Sequence, residues 1–167
     1  MNRFYILALL LFSTASVARE VDLLASQAIV IAGVGSHSFT FEEISTGETF
    51  TIKGGMKYKY KPTIVTAGKY YLKSIDLIFT NFEELNYDKP KDDELFFNIG
   101  AGSATYIGDW LIDTEVREVG KANWEIERDF SYKYLKKVSK RNGYLTRYPL
   151  IIANEQGKAI SILWKEI

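Results

Sequence analysis

The chain has no cysteine, one histidine, three prolines and no apolar run long enough to cross a bilayer. Each shortage removes a class of explanation. Without cysteine there are no disulfides, no thiolate metal sites and no lipid-anchored cysteine. The single histidine, His37, excludes a multi-histidine metal site and leaves no Ser-His-Asp triad except around itself. It follows directly on Gly33 and Gly35 and reads as a turn or strand-end residue. Charge of neither sign is in excess, with 21 Lys and Arg against 21 Asp and Glu, so no bulk field directs the protein to nucleic acid or an anionic membrane. The apolar run at residues 4–12 has nine residues, where a membrane-spanning helix needs about 20.

That short run is nevertheless informative. Asn2 and Arg3 precede it, a small-residue stretch follows over 13–18, and Ser16 and Ala18 fill the two positions that signal peptidase requires. The pattern predicts a signal peptide over residues 1–18, cleavage between Ala18 and Arg19, and a soluble periplasmic or secreted protein. The remaining 149 residues, 20 basic and 21 acidic, are the size of one domain over 19–167. Such a domain can bury a core without covalent staples.

The rest of the chain is dominated by period-two patterning. Residues 27–32 form a compact apolar strand closed by Gly33-Val34-Gly35. Ser38 stands where a dinucleotide-binding pattern has its third glycine and no helix follows, so the glycines read as a tight turn. Phe39 with Phe41, and Phe50 with Ile52, share faces of two short strands joined by a turn at residues 45–48. Residues 69–79 carry an apolar phase that slips near Ser74, which predicts a bulge or a strand switching sheets. Residues 80–94 hold six carboxylates and Pro90 and read as a surface loop whose spacing fails the calcium-binding EF-hand pattern.

Residues 100–113 read as the central strand, entered through a turn of small residues. Alternation puts Tyr106, Trp110 and Ile112 on one face and Ile107 and Leu111 on the other, while Gly108 marks a bulge or a close approach. Residues 115–119 and 123–128 form a hairpin across Gly120. The one convincing helix covers about 130–142, with Asp129 as its cap and Asn142-Gly143 as its stop. Lys136, Lys137, Lys140 and Arg141 near its end complement the helix dipole. Strands over 150–153 and 158–165 follow, the second with Ile160, Ile162 and Trp164 in phase. Nine or ten strands against one helix predict a mainly β fold, an antiparallel β-sandwich with one helix near the C-terminus. Trp110, Trp124 and Trp164 are expected in its core.

Two phrases add a resemblance: Val65 to Leu72, reading VTAGKYYL, and Phe97 to Gly102 with Tyr106-Ile107-Gly108-Asp109. The pair is similar to that of small exported bacterial proteins of uncharacterised function, and covers about residues 60–113. The resemblance implies an immunoglobulin-like or prealbumin-like sandwich and brings no catalytic residue. Many members carry a lipid-anchored cysteine that this chain lacks.

Two function classes follow. The first is a non-enzymatic envelope module that binds a protein or glycan partner and needs no cofactor or metal. Its candidate site is a cationic stripe, Lys57, Lys59 and Lys61, on one strand face with Tyr58 and Tyr60 on the other. The same lysines would also guard an edge strand against self-pairing. The second class is a hydrolase acting on an envelope glycan, with Asp109, Asp113 or the acidic loop as acid and base. A pocket gathering two carboxylates is what would favour it.

Overall fold

The computed structural model describes residues 21–55, 59–76, 85–86, 96–118, 121–153 and 159–167; side chains at 85–86, 113–118 and 121–125 are outside that description. The expected signal peptide, Lys57, Tyr58, most of the acidic stretch and the side chains of Asp113 and Trp124 therefore lie outside the described residues.

Strand β1 (Gln27–Val34) is apolar at almost every position and buried on both faces, the pattern of a strand covered on two sides. Gly33 belongs to this strand rather than to a tight turn, and the chain crosses to the second sheet through residues 35–37. There follow β2 (Ser38–Glu43), β3 (Thr49–Ile52), β4 (Lys59–Tyr60), β5 (Thr63–Thr66) and β6 (Gly68–Asp76). Next come β7 (Leu85–Asn86), β8 (Phe96–Ile99), β9 (Ala104–Glu118) and β10 (Lys121–Asp129). Helix α1 (Tyr132–Arg141), a 3-10 turn at Gly143–Arg147, β11 (Leu150–Ala153), β12 (Ala159–Ile162) and a last 3-10 turn at Trp164–Glu166 complete the order.

The strands form two sheets. The first runs β12-β11-β9-β1-β4, with β10 on β9 and β5 on β1; the second runs β3-β2-β6-β7, with β8 on β6. Strand β9 is central, as its composition predicts, with β1 on one side and β11 followed by β10 on the other. The expectation of purely antiparallel pairing fails here, because β9 is parallel to both β1 and β11. Parallel neighbours need crossovers. The whole second sheet lies in sequence between β1 and β9, and α1 lies between β10 and β11.

The two sheets enclose an inner core of Phe39, Phe41, Tyr70, Leu72, Ile75, Phe97, Ile107 and Trp110 with the alternate residues of β1. The outer face of the first sheet carries another core, Ile29, Ile31, Tyr106, Leu150 and Ile152, covered by Leu135 and Val138 of α1 and by Leu145. The helix is thus a third layer.

Both anticipated irregularities are bulges. Pairing passes from Thr40↔Ser74 to Phe41↔Leu72, so Lys73 is the extra residue. This lets Leu72 and Ile75 both face the inner core. In β9 it passes from Ile31↔Tyr106 to Gly33↔Asp109. Gly108 has φ +92°, and a Cβ there would stand 2.9 Å from the carbonyl oxygen of Asp129. That extra residue reverses the alternation, so Tyr106 and Trp110, expected on one face, lie in opposite cores. The Ile107 carbonyl exposed by the bulge accepts from Trp110 Nε1 at 3.1 Å and Arg128 Nε at 2.8 Å. The Arg128 guanidinium sits 5.1–5.7 Å from the rings of Phe97, Trp110 and Phe130, linking the two cores.

Other expectations need correction. Ser131, not Asp129, is the N-cap of α1; the Asp129 carboxylate instead accepts from the Phe130 N–H at 2.7 Å. Phe130 precedes the helix and meets Tyr106 edge to face. The last strand ends at Ile162; Ile160 is 46% exposed, because β12 is a sheet edge, and Trp164 is half-buried with Nε1 on the Tyr148 carbonyl at 2.8 Å. Leu85 and Asn86, expected in a loop, pair with β6. The turn after β2 is held by Glu43, whose Oε2 accepts from Ser45 N, Ser45 Oγ and Thr46 N at 2.6–2.8 Å. Those bonds pull its carboxyl down to about 2.

Candidate functional site: a basic cleft between strand β4 and helix α1

Strand β4 pairs antiparallel with the end of β1, Val34↔Lys59 and Gly33↔Tyr60, at the edge of the first sheet. The alternation expected of the lysine stripe holds where it is described: Lys59 and Lys61 are exposed and Tyr60 is half-buried. A Cβ on Gly55 would stand 2.5 Å from Lys59 Nζ, so that glycine leaves room for the lysine side chain.

The sequence does not reveal what the stripe faces. Tyr60 stacks on Tyr134 of α1, ring centroids 5.1 Å apart and planes inclined by 17°. Between the two elements opens a cleft of about 380 Å³ lined by Lys59, Tyr60, Lys61, Tyr134, Lys137, Val138, Arg141 and Asn142. That lies within the roughly 300–1,000 Å³ of small-molecule sites. Among the described residues four cations line it and no carboxylate does. Among the described residues no ion pair engages any of the four.

The helix dipole explains only part of this charge. Residues 132–141 hold Lys133, Lys136, Lys137, Lys140 and Arg141 and no acid. Like charges four apart cost a helix a few tenths of a kcal/mol per pair, and the dipole rewards only the last turn. Lys137 and Arg141 are four apart and share the cleft face. The buried face of the helix, Leu135 and Val138, decides that orientation by packing on the sheet.

Behind the cleft the tyrosine wall is anchored. Tyr60 donates to Asp109 Oδ2 at 2.6 Å and Tyr106 donates to Asp109 Oδ1 at 2.7 Å. The Ser131 N–H, at the start of α1, donates to the Tyr106 hydroxyl at 3.0 Å. One buried carboxylate, 4% exposed, thereby ties β4, β9 and the helix entry together. Burial raises its pKa, the two tyrosine bonds oppose the rise, and Asp129, its cross-strand partner, adds to it.

Asp109 is thus brought behind the site but not into its lining. His37 is elsewhere, at the crossing between the sheets. Its pKa is lowered by burial, partly offset by Asp76, and its Nδ1 makes no hydrogen bond among the described residues. A second, smaller cleft of about 220 Å³, between β3 and β5, contains one carboxylate, Glu48, beside Tyr70. The Tyr70 hydroxyl donates to the Thr66 carbonyl at 2.7 Å and is pushed up to about 12, mainly by burial and then by Glu48 and Glu43. Among the described residues neither cleft gathers two carboxylates. Among the described residues no group of three or more potential metal ligands occurs, and no helix is long and apolar enough to cross a membrane.

No family model matches the chain, and no curated protein or solved structure shows significant similarity to it.

Proposed function

We propose that the protein is an exported, non-enzymatic binding module of the cell envelope that holds an anionic partner in the cleft between β4 and α1. The observation that carries this reading is the convergence of Lys59 and Lys61 with Lys137 and Arg141 around an open cleft with no carboxylate among the described residues that line it. A surface with that lining attracts anions even though the whole chain is neutral. The edge-guard role of the lysines accounts for Lys59 and Lys61 but not for the two helix cations opposite them. Export rests on the pattern of residues 1–18. An immunoglobulin-like or prealbumin-like sandwich type rests on the two phrases within residues 60–113 and belongs to the same proposal.

The hydrolase reading has less support. Acid and base carboxylates must face one substrate across a cleft, whereas Asp109 is buried and engaged by two tyrosines.

Co-sedimentation of the mature chain with isolated envelope tests the proposal. Wild-type binding is expected to weaken by about tenfold or more as salt rises from about 0.05 to about 0.3 M. The K59Q/K61Q/K137Q/R141Q variant is expected to lose binding at low salt. Equal binding by both proteins overturns the site, and a chain retaining residues 1–18 in the membrane fraction overturns export.

A further inference from the structure

We infer that the anion held in this cleft is an acidic sugar, a pyranose ring bearing a carboxylate or phosphate, rather than an acidic peptide; the inference rests on the anion-binding reading above. Three features of the wall exceed what a bare negative charge requires.

The first is the ring pair. Tyr60 and Tyr134 both line the cleft, stacked at 5.1 Å, and Tyr134 is 39% exposed despite its size. Tyr60 is oriented by its bond to Asp109, so its ring is positioned before any ligand arrives. Because the two rings stack on each other, what the pair turns to the cleft is its flank, apolar C–H edges with hydroxyls. That flank suits the mixed C–H and O–H surface of a pyranose better than an Asp or Glu side chain. A rigid ring also loses little entropy on contact.

The second is the position of Lys137. Its ammonium lies 5.4 Å from the Tyr134 ring centroid, within cation–π distance. A cation held beside that aromatic flank fits an anionic group attached directly to a sugar ring lying against it. The charge and the apolar face of such a ligand are about one bond apart, as in a uronic acid or a sugar phosphate.

The third is Asn142, the amide among the described lining residues. Its Nδ2 donates to the Val138 carbonyl at 3.0 Å, which leaves the amide oxygen as its acceptor. Beside four cationic donors, an amide acceptor suits hydroxyl groups. The shape agrees: a cleft of about 380 Å³ between one strand and one helix admits a sugar ring or two, whereas a protein partner ordinarily spreads its contact over about 800 Å².

Calorimetric titration of the mature chain at low salt tests this with four probes: a galacturonic acid trimer, glucose 6-phosphate, a neutral galactose trimer and triglutamate. The uronate trimer or the sugar phosphate is expected to bind about tenfold or more tighter than both the neutral trimer and triglutamate. Whichever of the two binds better identifies the source of the anion. Tyr134→Leu keeps apolar bulk but removes the flat ring. It is expected to weaken the acidic sugar about tenfold while leaving triglutamate unchanged. Lys137→Gln, an exposed change that does not threaten folding, is expected to weaken both. Triglutamate binding as tightly as the acidic sugars overturns the sugar inference and leaves the anion-binding proposal standing. Failure of every anionic probe to bind, or anion binding indifferent to Lys137→Gln, overturns both. Unfolding midpoints of the variants show whether each is folded, and an unfolded Tyr134→Leu leaves Lys137→Gln and the probe comparison to decide.

Discussion

The two faces of the first sheet are packed by different kinds of aromatic residue. Between the sheets, Phe39, Phe41, Phe97 and Trp110 meet at centroid distances of 5.1–6.3 Å with mostly tilted or edge-on geometry. Among these four only the indole N–H needs a partner, which the Ile107 carbonyl supplies, and Tyr70, the tyrosine of the same core, donates to the Thr66 carbonyl at 2.7 Å. Beneath the helix the rings are mainly tyrosines, Tyr60, Tyr106, Tyr144 and Tyr148, with Phe130 and Trp164 at the margin. Their hydroxyls need acceptors. Tyr60 and Tyr106 share Asp109, and Tyr148 donates to the Val21 carbonyl at 2.5 Å. A phenyl core can be closed on every side, whereas a tyrosine layer must place each polar end at a carboxylate, a carbonyl or water. The inner core therefore serves cohesion, and the outer one leaves a polar rim where the cleft opens.

That contrast can be broken first at its strongest point. Trp110→Ala is expected to cost about 3–5 kcal/mol in urea unfolding, since the indole is fully buried between the sheets. Anion affinity of the molecules that remain folded should be unchanged. Leu135→Ala, under the helix, is expected to cost about 2–4 kcal/mol and also to weaken anion binding, because it loosens the element that carries Lys137 and Arg141. Equal affinity losses from the two mutations would show that the cores are not functionally distinct.

Tyr60→Phe probes the polar rim and is expected to cost about 1.5–3 kcal/mol, the range for a hydrogen bond to a charged group. The effect should depend on pH. Burial raises the Asp109 pKa in the folded protein, so the native state binds this proton more readily than the unfolded chain, and stability falls as pH rises through the raised pKa. The Tyr60 bond favours the charged form and limits that fall. The deficit of the variant should then be larger at about pH 8 than at about pH 4, near the ordinary carboxylate range. A pH-independent deficit would mean that the hydroxyl contributes packing alone.

The smallest effect lies far from both cores. Glu43 is lowered from 4.5 to about 2 by its bonds to Ser45 and Thr46. Its contribution is complete above about 4.5 and is lost as pH falls towards 2. Glu43→Gln should flatten the acid limb of the stability profile between those values, lowering stability at neutral pH, where the carboxylate contributes, and leaving it little changed near pH 2. An unaltered acid limb would place the acid sensitivity elsewhere.

Much of this architecture is legible in local pattern. Period-two runs mark Phe39 with Phe41 and Phe50 with Ile52, and the slip near Ser74 locates the bulge at Lys73. Gly108 marks the other bulge, but its consequence is not legible. Alternation counted through one extra residue assigns every later side chain to the wrong face, and so Tyr106 and Trp110 look like neighbours when the sheet separates them. Parallel pairing of β9 with β1 and β11 is hidden for a related reason. Strands covered on both faces are apolar throughout and carry no record of their partner's direction. Of the candidate site, Lys59 and Lys61 are visible as an alternating stripe and Lys137 and Arg141 as a basic helix end, each with an adequate local explanation.

By itself the sequence determined the strand-rich composition, the exposure of the two lysines, the helix that follows the hairpin and the absence of thiol and multi-histidine chemistry. Periodicity, propensity and residue count are properties of one segment at a time and need no partner. Only the tertiary structure decided that two basic segments more than seventy residues apart in the chain line one cleft, and that Asp109, a plausible catalytic acid in the linear chain, anchors the tyrosines behind it. Which strand edge the helix covers depends on the packing of Leu135 and Val138 against Ile29, Ile31 and Tyr106, a non-local contact that no segment encodes alone.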